Sequence, residues 1–369
     1  MARIYDGKLI LEDGSEYYGY RFGAADERIC EVVFNTSMVG YQEIVSDPSY
    51  TDQAVVMTYP LIGNYGVNNE DNETRHPSVS ALLVGECNDE PSNFRSTRSL
   101  SDWMKSCGIA GLEGLDTRRL TGSIRDRGSR LGLLTSADTP TEEGVRRIGA
   151  YRVPHDAVAR VSTKKVRFSP AVGKTVCRVA AIDCGMKENI VRSLNRRGCD
   201  VTVFPFDTPA EEIERMNPDG LFLSNGPGDP QDVTPVIGLV RQLRGKLPIF
   251  GICLGHQMIA LAYGAETYKL KFGHRGGNHP VKNLLNGRVE ITSQNHSYAV
   301  RESSVAGTGL EVTHVNLLDG SVEGLRCERD CVFSVQYHPE SAPGPEDSGY
   351  LFDLFTENMK RTLENNRLQ

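Results

Sequence analysis

Pro248-Ile249-Phe250-Gly251-Ile252-Cys253-Leu254-Gly255-His256-Gln257 sets a cysteine between two glycines, after an apolar run and before a helical pattern from Gln257 to Tyr263. Small residues two positions either side of the cysteine let the chain turn sharply from strand to helix, which lifts the side chain above the edge of a sheet. Free amides and the positive dipole end at the helix N-terminus favour a thiolate there and lower its pKa. Free cysteines are mostly small buried apolar residues, and the other cysteines of this chain are read that way. Its strand-turn-helix setting marks Cys253 as a nucleophile.

Around this turn, strand and helix patterns alternate: strand 176–182, helix 187–197 closed by Gly198, strands 200–205 and 220–224, helix 236–244, strand 248–252. Such alternation predicts a doubly wound α/β domain with a mostly parallel sheet and helices on both faces. A short strand at 331–336 and an amphipathic helix at 347–363, with Leu351, Leu354, Phe355 and Met359 on one side, complete it. Upstream, residues 151–175 are polar, basic and interrupted by proline, and read as a linker. Residues 1–150 mix a hairpin over 8–22, strands at 31–34, 54–58, 81–85 and 131–135, and helices at 99–107 and 116–127, with Asp116 and Gly128 as caps of the second helix. Without regular alternation, this first part is a smaller α+β domain. The expected division is therefore 1–150, a linker at 151–175, and 176–369.

Composition excludes several classes. The chain has 369 residues, long enough for two domains. Its 41 Lys and Arg against 48 Asp and Glu give a net charge of −7, which offers no general attraction for nucleic acid or anionic lipid. No apolar run approaches membrane-span length and the first residues lack the apolar core of a signal peptide, so the expected setting is cytoplasmic, with no membrane partner. Nine scattered cysteines suit reduced thiols better than a disulfide framework.

A thiolate nucleophile needs a group that takes its proton and returns it to the leaving group, and histidine does this near neutral pH. His338 follows the strand at 331–336, and Glu340 stands two residues on, with Pro339 between. In extended chain both side chains point the same way, so Glu340 can orient the ring. A glycine-rich turn, Ser224-Asn225-Gly226-Pro227-Gly228-Asp229-Pro230, ends another strand. It lacks the Lys-Ser/Thr of a phosphate loop, and a backbone amide from it could join that of Leu254 in binding an oxyanion. His274 and His279 have no evident cysteine or carboxylate cluster beside them, so no metal site is expected.

Three of these stretches, 251–257, 224–230 and His338-Pro339-Glu340, resemble the signature of class I, or triad, glutamine amidotransferases. Four more narrow the resemblance: 31–43 (Glu31-Val32-Val33-Phe34-Asn35-Thr36-Ser37-Met38-Val39-Gly40-Tyr41-Gln42-Glu43), Asp47-Pro48-Ser49-Tyr50, Asn64-Tyr65-Gly66-Val67-Asn68 and Asp116-Thr117-Arg118. These are similar to the small, glutaminase subunits of carbamoyl-phosphate synthases. The resemblance covers nearly the whole chain and is weakest from 138 to 175. It implies that Cys253 forms a γ-glutamyl thioester, that His338 shuttles the proton and that Glu340 orients it. It further implies that glutamine is held by Ser49, Gly226, Gly228, Leu254, Gln257 and the stretch Asn295-His296-Ser297-Tyr298. The family's commonest form has Gly-Phe in place of Ser297-Tyr298, and a serine is tolerated there unless the backbone needs positive φ.

The resemblance also implies a separate large subunit, in a heterodimer or higher assembly, that uses ATP, Mg²⁺ and bicarbonate to make carbamoyl phosphate for pyrimidine or arginine synthesis. No cofactor is expected in this chain. Competing readings are the glutaminase partner of another synthase such as that for anthranilate, which does not need residues 1–150, a noncatalytic glutamine-binding subunit, and a cysteine hydrolase of esters or γ-glutamyl peptides.

Overall fold

The computed structural model describes residues 4–368, with side chains described to 365. The chain forms two compact units, one up to Pro154 and one from His155 onward.

The first unit contains strands β1 (Gly7–Leu11), β2 (Glu16–Gly23), β3 (Arg28–Asn35), β4 (Gln53–Met57), β5 (Leu61–Ile62), β6 (Ala81–Leu83), β7 (Glu86–Cys87), β8 (Ala110–Glu113) and β9 (Arg130–Ser136). Seven of them close a barrel in the order β1-β2-β8-β6-β4-β3-β9, and β5 pairs with β7 apart from it. The expected hairpin is β1–β2, its turn fixed by the Asp13 carboxylate accepting from the Ser15 N–H at 3.0 Å. Helices are α1 (Tyr41–Ser46), α2 (Leu100–Cys107), α3 (Thr117–Arg127) and α4 (Thr141–Ala150). Asp116 caps α3, accepting from the Arg119 N–H at 2.8 Å. Helix α4 escaped the sequence reading because its apolar content is small: Val145 and Ile148 pack with Ile10 and Leu133.

In the second unit a five-stranded parallel core runs in the order β12-β11-β13-β14-β19, built from β11 (Cys177–Asp183), β12 (Cys199–Pro205), β13 (Gly220–Leu223), β14 (Ile249–Ile252) and β19 (Val332–Val335). Helices α6 (Glu188–Arg196), α7 (Ala210–Met216), α8 (Thr234–Leu243), α9 (Leu254–Tyr263) and α10 (Tyr350–Leu368) accompany it. Side chains alternate between the faces. Leu221, Leu223 and Ile249 join one apolar core with Val240, Met258 and Ile259, whereas Phe222 and Phe250 join the other with Leu194, Phe352, Phe355 and Met359. Phe250 stacks on Phe333 at 4.4 Å between ring centroids and meets Phe222 edge-on at 5.3 Å. Each such ring contributes about 1.5–3 kcal/mol by leaving water.

Three departures from expectation have local causes. Residues 151–175, expected as a linker, carry α5 (Ala157–Val161) and β10 (Arg167–Ser169), and β10 adds antiparallel to β12 at the sheet edge. The strand is held by backbone bonding, with Phe168 64 % exposed, so no apolar pattern announces it. On α10, Leu354 is 38 % exposed, and Phe352 completes the buried stripe with Leu351, Phe355 and Met359. Beyond β19 the sheet continues antiparallel through β18 (Val322–Cys327), β16 (Val289–Val300), β15 (Thr267–Asn283) and β17 (Glu311–Asn316). Register shifts around 270–278 break the period-2 pattern that would have signalled β15. Among the described residues no helix is long and apolar enough to cross a membrane.

Candidate active site

Cys253 is the N-cap of α9, directly after β14, and its backbone takes φ 54 and ψ −101, a conformation that costs an L-residue energy. Neighbours hold it there: its N–H donates to the Val335 carbonyl of β19 at 2.9 Å, and its own carbonyl accepts from the Gln257 N–H at 3.2 Å. Close packing of the turn on the next strand explains the following glycine. A Cβ on Gly255 would stand 2.4 Å from the Leu223 carbonyl oxygen. The Sγ of Cys253 lies 3.6 Å from the Asn295 carbonyl of β16.

His338 and Glu340 follow β19, but not in the extended path expected from the sequence: Pro339 and Glu340 form a turn closed by the Ser341 N–H donating to the His338 carbonyl at 3.3 Å, and it is this turn that brings the carboxylate back to the ring. Glu340 Oε1 accepts from His338 Nδ1 at 2.7 Å, with both residues buried. That bond commits Nδ1 and leaves Nε2, which has no hydrogen-bond partner among the described residues, for the reaction. Lys187, the residue before α6, joins them: its Nζ lies 2.9 Å from the same Oε1, and its side chain is 3 % exposed. Two further bonds place the loop ends, the Lys187 N–H to Asn225 Oδ1 at 3.2 Å and the Asn189 side-chain amide to the Glu340 carbonyl.

Burial works against charge on both members of the pair, and the neighbouring charges overcome it. For His338, burial lowers the pKa, but the Glu340 carboxylate and the interaction with Cys253 raise it to about 10 against the opposing Lys187 cation. For Glu340, burial raises the pKa, but Lys187 and His338 hold it at about 2. Glu340 and His338 thus each favour the charged form of the other.

The glycine-rich turn after β13 packs against the elbow. A Cβ on Gly226 would fall 2.1 Å from the Cys184 carbonyl oxygen and 2.9 Å from Leu254 Cδ2, so only glycine fits there. Ser224 ties the turn down, its hydroxyl accepting from the Cys184 N–H at 2.9 Å and its carbonyl accepting from the Gly255 N–H at 3.1 Å. Leu254 is the first residue of α9, so its N–H has no acceptor within the helix. Gly228, with φ 87, turns the chain toward Asp229.

Gln257, on the first turn of α9, donates through Nε2 to the Tyr298 carbonyl at 2.7 Å and to Gln336 Oε1 at 3.0 Å. Its amide nitrogen is thus committed to bracing β16, and Oε1 remains as an acceptor. Asn295, His296, Ser297 and Tyr298 run along β16 beside the cysteine. Ser297 has ordinary negative φ, so the serine needs no glycine-like backbone, and its hydroxyl accepts from buried Arg275. Ser49 lies in the first unit on the turn Pro48–Tyr50, with its N–H donating to Asp47 Oδ1 at 2.9 Å.

Lys187, Asn189 and Gln336 belong to this neighbourhood and were not singled out from sequence. Lys187 gives no signal there, since a lysine at the start of a helix is ordinarily solvated. Two other histidines near the cysteine make different contacts: His256 Nδ1 pairs with Ser334 Oγ at 2.9 Å, and His296 Nδ1 donates to the Tyr298 carbonyl at 2.7 Å. His274, read as lacking carboxylate company, has Asp319 at 2.9 Å and Glu323 at 3.6 Å, both delivered by the fold from the β17–β18 region.

Comparison with known proteins agrees along the chain. Residues 180–358 match the family model for glutamine amidotransferase class-I, and residues 9–134 match that for carbamoyl-phosphate synthase small chain, CPSase domain. A carbamoyl phosphate synthase small chain from Fusobacterium nucleatum is 52 % identical over 361 residues, covering 98 % of this chain and 100 % of that protein. Another, from Bacillus cereus, is 56 % identical over 360 residues, covering 97 % and 98 %. A solved glutamine amidotransferase from Thermotoga maritima aligns at 18 % identity and a TM-score of 0.37, over 53 % of this chain and 86 % of that one. With both models matched and relatives this similar over almost the full length, the chain belongs to the carbamoyl-phosphate synthase small-chain family and carries a class-I glutamine amidotransferase domain.

Proposed function

We propose that this chain is the glutamine-hydrolysing subunit of a carbamoyl-phosphate synthase, with Cys253, His338 and Glu340 as its reacting set. The observation that carries the reading is a cysteine on a strained elbow beside a buried His-Glu-Lys group. The sulfur attacks the side-chain carbonyl carbon of glutamine, and the thiol proton resides on His338 Nε2. Negative charge developing on the carbonyl oxygen is stabilised by the N–H groups of Leu254 and Gly226. His338 then gives its proton to the departing nitrogen, and the C–N bond breaks to leave ammonia and a γ-glutamyl thioester. Water adds to the thioester with His338 taking its proton, and glutamate leaves as the C–S bond breaks and the sulfur recovers a proton.

Glutamine is held against Cys253 by the turn at Gly226 and Gly228, by Gln257 Oε1 and by the Asn295–Tyr298 edge. Ammonia passes to a large subunit that carries out the ATP- and bicarbonate-dependent steps. A glutamine-like diazoketone tests the nucleophile. One label per chain is expected, mapped to Cys253 and prevented by glutamine; loss of activity with the label on another cysteine would overturn the assignment.

A further inference from the structure

Among the described residues, one group of three His, Cys or carboxylate side chains brings a ligand atom from each within 4.8 Å of the others: His274, His296 and Glu323, all buried. His274 and His296 face each other across β15 and β16 as register partners, with a register shift on either side along β15 that re-aims the side chains. Glu323 comes from β18.

The hydrogen bonds around the group decide which ring nitrogens are available. His274 Nε2 lies 2.9 Å from Asp319 Oδ2, and a carboxylate there only accepts, so Nε2 carries the proton. That directs the Nδ1 lone pair toward Asn316 Nδ2, which donates to it at 3.5 Å, and toward Glu323 Oε1, 3.6 Å away. His296 Nδ1 donates to the Tyr298 carbonyl at 2.7 Å, which leaves the lone pair on Nε2. Facing that lone pair at 3.0 Å is Gln294 Oε1, a second acceptor, while the amide nitrogen of Gln294 is turned to Thr292 Oγ1 at 3.3 Å. Glu323, with no exposed surface, uses Oε1 to accept from Asn316 Nδ2 at 3.1 Å and leaves Oε2 without a partner.

Ion pairing with Asp319 and Glu323 would account for His274 alone. It explains neither the unpaired Glu323 oxygen nor two acceptors set against each other at His296 and Gln294. A cation satisfies all of these together, and a carboxylate or carbonyl behind each ligating histidine is the arrangement that orients metal-binding imidazoles.

We propose that His274 Nδ1, His296 Nε2 and the Glu323 carboxylate bind a divalent transition-metal ion of the zinc class, with Gln294 Oε1 as a fourth, oxygen ligand. Two imidazoles with oxygen donors suit zinc or cobalt better than magnesium or calcium. Ligand atoms in such a site stand about 3.4 Å apart, so binding draws the three side chains inward and clamps β15, β16 and β18 together. The proposal does not depend on the glutaminase assignment.

The test is a titration of the full chain with Co²⁺ alone, followed by visible absorption, and X-ray absorption of the chain loaded with Zn²⁺. Expected are one equivalent of Co²⁺ with d–d bands and no thiolate charge-transfer band, and a zinc first shell of two imidazole nitrogens with oxygen at about 2.0–2.2 Å. Glu323→Gln and Asp319→Asn, both close in shape to the native residues, should each weaken binding about 10- to 100-fold. Absence of binding at micromolar metal, a sulfur-containing shell, or affinity unchanged in both variants would overturn the site. Because the absorption experiment uses the unaltered chain, a variant that fails to fold does not rescue the proposal.

Discussion

Lys187 and Glu340 meet at 2.9 Å in the interior, with side chains 3 % and 0 % exposed, and the carboxylate oxygen they share is the one that orients His338. A lysine from the start of α6 and a glutamate beyond β19 thus act on the same imidazole with opposite sign. Glu340 favours the imidazolium, and Lys187 disfavours it.

That opposition predicts the pH profile. Protonation of the leaving nitrogen requires His338 in its charged form, so the alkaline limb of kcat/KM follows the His338 pKa, raised to about 10. Glu340→Gln removes a charge that raises this pKa and should move the limb to lower pH. Lys187→Met removes one that lowers it and should move the limb to higher pH. Profiles of the two variants measured side by side check the signs; limbs that shift together would mean that the charges do not act through His338.

Rates should separate the three residues as well. His338→Asn removes the proton carrier and should cost about 10²- to 10⁴-fold in kcat. Glu340→Gln should cost less, because Lys187 holds the carboxamide oxygen, not its nitrogen, where Oε1 now stands, and that oxygen still accepts from Nδ1. Adding Lys187→Met to Glu340→Gln frees the amide to turn, so the double variant should lose more than the product of the single losses. Steady-state rates of the four proteins check this.

What could be read from sequence follows from how local its cause is. Cys253 with its two glycines, and His338 with Glu340, are set by neighbours within three residues, and so were visible. The parallel core was visible too, since Leu221 to Leu223 and Ile249 to Ile252 are continuous buried runs. Lys187 became legible only once the fold carried Glu340 back to it. The same holds for His274, whose carboxylates arrive from residues 319 and 323. β10 and β15 were missed because one is an exposed edge and the other is broken by register shifts, leaving no period to detect.

Stability should vary with pH through the same pair. His338 has its folded pKa raised from 6.5 to about 10, so its contribution is complete below 6.5 and is lost as pH rises toward 10. Glu340 has its folded pKa lowered from 4.5 to about 2, so its contribution is complete above 4.5 and is lost as pH falls toward 2. Both are in full force between 4.5 and 6.5. Urea unfolding of the unaltered chain and of His338→Asn should therefore differ most in that window and converge toward pH 10; a difference that grows with alkalinity would reverse the assigned charge.

The division of labour gives the last prediction. If this chain only supplies ammonia, the isolated subunit should hydrolyse glutamine slowly and be accelerated by its large subunit, since ammonia released without an acceptor is wasted. In the assembled enzyme Cys253→Ser should abolish glutamine-dependent synthesis of carbamoyl phosphate, because the serine oxygen lacks the nucleophilicity of the thiolate. The substitution changes one atom on the elbow and leaves Gly255 and its packing against Leu223 in place, so the assembly should form as before. Synthesis from added ammonium chloride should then continue at the unaltered rate if, as proposed, ATP and bicarbonate react on the other polypeptide. A free-standing hydrolase would show full glutaminase activity without the large subunit, and a glutamine-binding subunit without catalysis would show none in either state. Loss of the ammonia-dependent reaction in an assembly shown to be intact by sedimentation would mean that Cys253 serves the structure of the partner's site, and the separation of the two half-reactions would have to be abandoned.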